Sequence, residues 1–374
     1  MSEVFDNIII GAGLSGCSVA YWLRQTHPEQ KTLLIDRLGV AAEASGQNAG
    51  FVTNGSLAHL KKLMDRFGAD QAYDIWQYRS LNHGLLATHF LKQITHLNYR
   101  RSGSLSLAKK ESTLNNLAVA AQLLQDHHLR VQAIDQDELT SRFDLHGFAG
   151  GFLYSGDGSV DPVPLIEHIF RRSATPLHKR EVLSIEKSSK QWTLETNDGI
   201  YKSHRLYLCT NAFLPKLLPA EAFHLIPTRA QMLETDAIPR RLDANLYSCD
   251  EMAYLRQTAK GTFVAGGFRQ LDPDSEVGFR HRIHNGIQQN IQNFVVGALD
   301  WHPVVQRRWS GIMGFTQDGL PGAGPIDKDM SGYFMAGFSG HGMGTAFLLA
   351  KQLVDYSQHQ EPIFKPFYHQ IQAF

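Results

Sequence analysis

An α/β fold is what the amino-acid sequence predicts, and three observations near its start carry that expectation. Val4–Ile10 is a short apolar run rich in β-branched side chains that stops at Gly11, as a strand buried inside a parallel sheet does. From Leu14 the period changes, and Leu14, Val19, Trp22 and Leu23 fall on one helical face. Residues 32–35 then read as a second buried strand, which completes a β-α-β unit.

Further along, apolar spacing predicts helix over residues 57–95 and 114–124, and strand over 105–108 and 151–154. Residues 182–185, 191–196 and 206–209 form a second strand pattern, with Asn197-Asp198-Gly199 as turn chemistry, so a β-meander feeding back into the sheet is expected. Between 225 and 300, strand-like pieces at 231–234 and 262–265 alternate with a helical stretch near 283–294. The buried all-apolar runs are missing there, which assigns this region to a second domain. A short strand at 333–336, a glycine-rich loop and an amphipathic helix at 345–356 close the chain, and no internal repeat or low-complexity tract interrupts it.

The length of 374 residues suits two domains at about 150 residues each. Hydrophobic residues at 43% and charged residues at 19% exclude a disordered or fibrous chain. Lys+Arg 36 against Asp+Glu 36 leaves no net charge, so the broad positive field that nucleic acids or anionic membranes need is missing. Cys17, Cys209 and Cys249 are far apart with no C-x-x-C pair, which argues against a disulfide framework or a zinc or iron-sulfur centre and suits a reducing compartment. His281 and His284 in H-x-x-H, and the pair His127-His128, lack a third ligand at useful spacing and read as surface histidines, so no metal is expected. The N-terminus has no basic region before an apolar stretch, and no run of about 20 apolar residues occurs. A soluble, cytoplasmic protein without a transmembrane segment is the expectation.

Gly11-Ala12-Gly13-Leu14-Ser15-Gly16 is G-x-G-x-x-G placed directly after a strand and before a helix. Gly11 permits the tight turn, Gly13 lets backbone N–H groups approach a pyrophosphate, and Gly16 lets the helix pack close to the strand. Asp36 closes the second strand, 36 − 16 = 20 residues past the last glycine, where a carboxylate reaches ribose hydroxyls and repels a 2′-phosphate. Arg37 beside it is the residue that would instead invite that phosphate, and the carboxylate weighs more. An ADP moiety is therefore expected, and FAD and NAD both carry one. Ala44-Ser45-Gly46-Gln47-Asn48-Ala49-Gly50 follows the second strand closely; by itself it is an ordinary polar loop able to wrap a phosphate or a ring.

That segment resembles the A-S-G-R-N-x-G loop of the flavin-dependent D-amino-acid oxidase superfamily, which includes glycine oxidase, sarcosine oxidase and D-amino-acid dehydrogenase. The resemblance continues in order through Gly158-Ser159-Val160-Asp161-Pro162, Thr210-Asn211-Ala212-Phe213, Arg308-Trp309-Ser310-Gly311, Asp318-Gly319-Leu320-Pro321 and Gly337-Phe338-Ser339-Gly340-His341-Gly342-Met343-Gly344. It implies FAD, held in a Rossmann-like domain of glutathione-reductase type, and an α+β substrate domain on a mainly antiparallel sheet. The expected FAD domain is discontinuous, residues 1–90, 150–222 and 305–374, with 91–149 and 223–304 forming the substrate domain.

Cofactor contacts are expected from Gly11 to Gly16, from Asp36 and Arg37, and from Ala44, Ser45, Gln47, Asn48, Ala49 and Gly50. Val182, Asn211, Gly311 and the late loop Gly340, His341, Gly342, Met343 and Gly344 complete that set. The late loop joins a strand to a helix, so the positive end of that helix can face the negative charge a reduced flavin carries. His341 is the candidate for proton transfer, and no other catalytic side chain stands out.

Departures from the family pattern are informative. Positions where some relatives attach flavin covalently hold Gln47 and Gly311, which implies non-covalent FAD. Where glycine oxidase and D-amino-acid dehydrogenase carry an arginine for the substrate carboxylate, this chain has Met313, and the lysines of sarcosine oxidases correspond to Gly344 and Val264. A carboxylate can still be held from elsewhere: Tyr254 and Arg256 alternate on a strand-like piece, so both can face the substrate. Arg229 resembles a residue of the family's P-x-R-G-Q-M strand and is as readily structural as functional.

The leading expectation is oxidation of a C–N bond in a small amine or amino acid, giving an imine that water hydrolyses, with oxygen or a carrier as electron acceptor. Oxidation of a hydroxy acid or other alcohol is the alternative. A serine hydrolase built on Gly337-Phe338-Ser339-Gly340-His341 lacks the last glycine of G-x-S-x-G. A nicotinamide-dependent reductase would show a second G-x-G-x-x-G unit, and none is found. Oligomeric state is left open by a neutral average composition.

Overall fold

The computed structural model describes residues 3–188, 191–219, 223–371 and 373–374. The chain divides into two compact units, residues 1–47, 162–228 and 312–374 forming one, and 48–161 and 229–311 the other.

In the first unit Val4–Ile10 pairs in parallel with Gly199–Leu208 on one side and Thr32–Asp36 on the other. Gly332–Ala336 and Leu177–Lys179 extend the parallel sheet outward, and Gly322–Pro325 adds an antiparallel edge. Val182–Ser188 and Gln191–Thr196 form the expected meander against Gly199–Leu208. The inner strands Val4–Ile10, Thr32–Asp36 and Gly332–Ala336 are mostly apolar and largely buried, and Ile8, Leu33, Trp192, Leu206, Leu208 and Phe334 lie in one buried cluster. The helix Leu14–Thr26 packs between Ala346–His359 and Pro162–Ser173. Trp22 Nε1 donates to Phe347 O at 3.0 Å, so the first helix is bonded to the last. Pro162–Ser173 has no counterpart in the sequence reading because Pro162 and Pro164 resemble breakers. In the first turn of a helix, however, proline only removes N–H groups that would have no intrahelical partner.

The second unit is built on the sheet order Val305–Phe315, Ile226–Ala237, Thr262–Gly266, Ala253–Gln257, Asn245–Ser248, Ser104–Ala108, Gly150–Tyr154, Val131–Asp135. Of the registers resolved, all are antiparallel except Asn245–Ser248 with Ser104–Ala108. One face buries Leu105, Leu233, Leu246, Leu255 and Phe263 against Ile291, Phe294 and Val295 of the helix Asn285–Leu299. This is the α/β protein with a mainly antiparallel second sheet that was expected.

Domain boundaries differ from the expected ones. Residues 48–90 and 150–161 were assigned to the first domain and belong to the second unit, because Leu57–Phe67 packs on Glu111–Asp126 and Gly150–Tyr154 is an inner strand of the second sheet. Residues 223–228 join the first unit and 305–311 the second, so the chain passes between units partway along the strands Ile226–Ala237 and Val305–Phe315. The expected boundary residue 222 itself lies outside the described residues. The single helix expected over 57–95 is broken at Gly68, whose φ of +87° ends Leu57–Phe67 before Ala69–Leu86 begins.

Candidate active site

Parallel strands bring their carboxyl ends to one edge, and ligands of such sheets bind there. In the first unit that edge gathers the loop after Val4–Ile10, Asp36 at the end of its strand, Thr210 and Asn211 after Gly199–Leu208, and the loop 337–344 after Gly332–Ala336. Segments far apart in sequence thus converge by topology alone.

Local chemistry shapes the edge. Gly11 has φ +106°, and a Cβ on Gly16 would stand 1.8 Å from Gly11 O, so strand and helix meet only because both are glycine. Gly13 caps the helix without a side-chain oxygen, and Leu14 N donates to Ser45 Oγ at 2.9 Å. Asp36 Oδ2 accepts from Ala12 N at 2.8 Å, while Oδ1 accepts from Leu38 N at 2.7 Å and Gly39 N at 2.8 Å. These bonds hold the carboxylate beside the glycine turn. Arg37 pairs with Glu43 and lies 4.3 Å over the Phe213 ring, so its charge is already answered, and a free ribose rather than a 2′-phosphate suits the pair. Thr210 Oγ1 is buried with no hydrogen-bond partner among the described residues. A glycine cradle, an oriented carboxylate and an orphaned hydroxyl together fit the ADP half of FAD.

The late loop is held by side chains already noted. Asn211, at φ +45°, accepts from Gly337 N through Oδ1 at 2.9 Å, which anchors the loop's first residue. Ser339 sits at φ +48°; its backbone N donates to Gly314 O at 3.0 Å and its carbonyl accepts from His341 Nδ1 at 3.0 Å. That bond fixes the tautomer, making Nε2 the acceptor nitrogen of a neutral His341 ring. Ser339 Oγ donates to Gly337 O at 3.2 Å and accepts from Thr316 N at 3.3 Å. These two bonds engage the Ser339 hydroxyl with backbone groups, which speaks against its use as a hydrolase nucleophile. Met313 places its sulfur 3.7 Å from where a Cβ on Gly340 would be, so the position where the resemblance implies a carboxylate-binding arginine makes an apolar contact with the late loop. Val182, expected at the cofactor, opens the meander strand opposite Thr196.

In the second unit Ala49, Phe51, Met232, Tyr254, Val264 and Trp309 form a cluster separate from the main core. Phe51 meets Tyr254 edge-on with ring centroids 5.9 Å apart, and Tyr247 at 5.2 Å. The Tyr254 hydroxyl donates to Met232 Sδ at 3.0 Å, and burial pushes its pKa up to about 12. Arg256 is otherwise engaged: its Nε donates to Ala49 O, and its Nη2 to Val160 O at 3.1 Å and Asp161 Oδ1 at 3.4 Å. Gly50, at φ +78°, passes so close that a Cβ would stand 2.8 Å from Arg256 Nη2, and Asn48 Oδ1 accepts from Gly50 N at 2.7 Å. The second half of the 44–50 loop is thereby tied by Arg256, through the Nε and Nη2 of the guanidinium expected to face substrate. Arg269 opens the turn Arg269–Leu271 and lies in no recognisable motif. His284, half of the H-x-x-H pair, caps a helix by accepting from Ile287 N at 3.2 Å, and its Nε2 bonds Asp272 at 3.0 Å.

Comparison with known proteins agrees with this geometry. The family model for FAD-dependent oxidoreductases named DAO matches residues 6–356. A probable oxidoreductase OrdL of Rhizobium meliloti is 22% identical over 354 residues, covering 91% of this chain and 80% of that protein. The gamma-glutamylputrescine oxidoreductase of Escherichia coli is 20% identical over 366 residues, covering 94% and 83%. Glycine oxidase from Geobacillus kaustophilus superposes with a TM-score of 0.82 at 18% identity, covering 98% of both chains. For iminodiacetate oxidase from Chelativorans the values are 0.78 and 17%, covering 97% of this chain and 99% of that one.

Proposed function

The chain belongs to the DAO family of FAD-dependent oxidoreductases, and from that premise we propose that it oxidises a C–N bond of a small amine or amino acid, giving an imine that water hydrolyses. The observation that carries this reading is the meeting of the glycine turn, Asp36, Thr210 and the 337–344 loop at one sheet edge. Bound FAD supplies the acceptor for the hydride leaving the substrate carbon. Gln47 and Gly311 offer no nucleophile for a covalent link, so acid precipitation should release the flavin intact.

The remaining work falls to the chain. An amine gives up its α-hydride readily only when neutral, so surroundings that withhold water promote the reaction by favouring the neutral form. His341, with Nδ1 bound to Ser339 O, presents an imidazole acceptor that can take a proton from the substrate nitrogen. The names of two relatives, gamma-glutamylputrescine oxidoreductase and 4-methylaminobutanoate oxidase of Paenarthrobacter nicotinovorans, support primary or secondary amines as the substrate class.

Anaerobic flavin bleaching against amines, N-methyl amino acids, D-amino acids and hydroxy acids tests the reading. We expect bleaching by an amine, with a rate that rises with pH as the ammonium deprotonates, over a range near 8 to 10 for ordinary amines. Bleaching by hydroxy acids alone, or a rate flat in pH, overturns it. Admitting air afterwards separates oxygen from a protein or quinone carrier as the electron acceptor.

A further inference from the structure

We propose that Asp161 is a positioning residue for the cofactor: it holds the Arg256 guanidinium against the Ala49 and Val160 carbonyls and so fixes residues 48–50, the end of the loop expected to carry the flavin. This deepens the flavin-dependent reading and rests on it, through the assignment of the 44–50 loop to FAD.

Two short strands meet at this place. Phe51 pairs with Ser159 and Val52 with Gly158 in antiparallel register, and Val160 N donates to Gly50 O at 2.9 Å. A Cβ on Gly50 would stand 2.1 Å from Val160 O, so the two segments approach as closely as backbone allows. Next to that contact the carbonyls of Ala49 and Val160 are joined by one side chain, since Arg256 donates from Nε to the first and from Nη2 to the second at 3.1 Å. Neighbouring N–H groups of a planar guanidinium thus take the part of a rung between two backbone segments. Every residue of this arrangement belongs to the second unit.

Such a rung carries a charge that must be answered. Arg256 is 5% exposed, and a guanidinium buried against carbonyls alone is strongly destabilising. Asp161 supplies the counter-charge: its Oδ1 accepts from Arg256 Nη2 at 3.4 Å, and burial lowers the Arg256 pKa while the Asp161 carboxylate raises it. The carboxylate is itself held. Its Oδ2 accepts from Asn98 Nδ2 at 2.8 Å, and Asp161 N donates to Leu97 O at 3.0 Å. Asn98 ends the turn Thr95–Leu97 at φ +53°, a conformation asparagine adopts more readily than most residues. One carboxylate oxygen is therefore tied to a turn and the other to the guanidinium, so Asp161 transmits a fixed position from residues 97–98 through Arg256 to Ala49.

The test titrates apoprotein with FAD for wild type, Asp161→Asn, Asp161→Ala, Arg256→Met and the double variant Asp161→Ala/Arg256→Met, and measures the midpoint potential of the bound flavin in each. Asp161→Ala should weaken FAD binding on the order of 10- to 100-fold, the range for a hydrogen bond to a charged group, and Asp161→Asn, which keeps one acceptor oxygen, should lose less. Since Asp161 acts through Arg256, the double variant should bind FAD no more weakly than Arg256→Met. Asp161→Asn should also raise the midpoint potential, because an uncompensated guanidinium favours the negative charge of the reduced flavin. A role confined to folding would lower the melting temperature and leave that potential where it was. Wild-type affinity in Asp161→Ala, additive losses in the double variant, or an unmoved potential in Asp161→Asn each overturn the proposal. Should Asp161→Ala fail to fold, Asp161→Asn alone and combined with Arg256→Met makes the same comparison. A holoenzyme that no amine reduces overturns the reaction proposed above, and the FAD affinities still decide what Asp161 does.

Discussion

Single residues carry the electrostatic consequences. Asp157 is fully buried in the second unit, where its carboxylate accepts from Asn54 N at 3.0 Å and Ser104 Oγ at 2.5 Å, and burial pushes its pKa up to about 7. Arg79, 1% exposed and donating to Asn54 O at 2.7 Å, pulls the other way with its charge, but less strongly than desolvation. The sign follows from linkage: between about pH 4 and 7 the native carboxyl keeps a proton that the unfolded chain has released, so stability from this group is lost as pH rises through that window. Asp157→Asn should therefore stabilise the protein relative to wild type, with an advantage that grows on the order of 2 kcal/mol from pH 5 to pH 8. Denaturant midpoints at the two pH values measure it; an advantage that shrinks with pH contradicts it. None of this was visible in the sequence, because Asp157 lies in no motif and its burial depends on helices and strands 50 to 100 residues away.

At the scale of elements, the glycine turn and the late loop are legible in different degrees. Gly11 and Gly16 pack together and Asp36 lies beside the turn at the places their spacing predicts, since one strand, one turn and one helix decide their geometry. The late loop is different: its entry is pinned by Asn211, more than 100 residues earlier in the chain. Asn211→Ala should weaken flavin binding about tenfold by freeing Gly337 N and straining an αL position, whereas Asn211→Asp, which keeps the acceptor, should lose less. Titration of apoprotein with FAD reads the difference, and equal losses in the two variants would rule out the hydrogen bond as the cause. Sequence periodicity found the helices Glu111–Asp126, Asn285–Leu299 and Ala346–His359, and it failed at Gly68 and Pro162, where one residue's backbone preference outweighs the surrounding apolar pattern.

For the whole molecule, interleaving is the governing fact. The first unit draws on three chain segments, and its first helix is bonded to its last through Trp22 and Phe347, whose rings lie 5.0 Å apart. Removing residues 346–374 should abolish retention of FAD although the entire G-x-G-x-x-G turn remains, measured as flavin absorbance of the purified chain; a truncated protein that stays yellow would show the late helix to be dispensable. Among the described residues no helix is long and apolar enough to cross a membrane. Order along the chain was enough to determine the class of fold, the glycine turn and the family, since these depend on local spacing and on motifs in sequence. Where the units divide and that Arg256 braces backbone at Ala49 and Val160 were decided only by tertiary structure. Each depends on groups distant in sequence brought within a few ångströms, and hydrogen bonds and burial at that range leave no periodic trace in a linear chain.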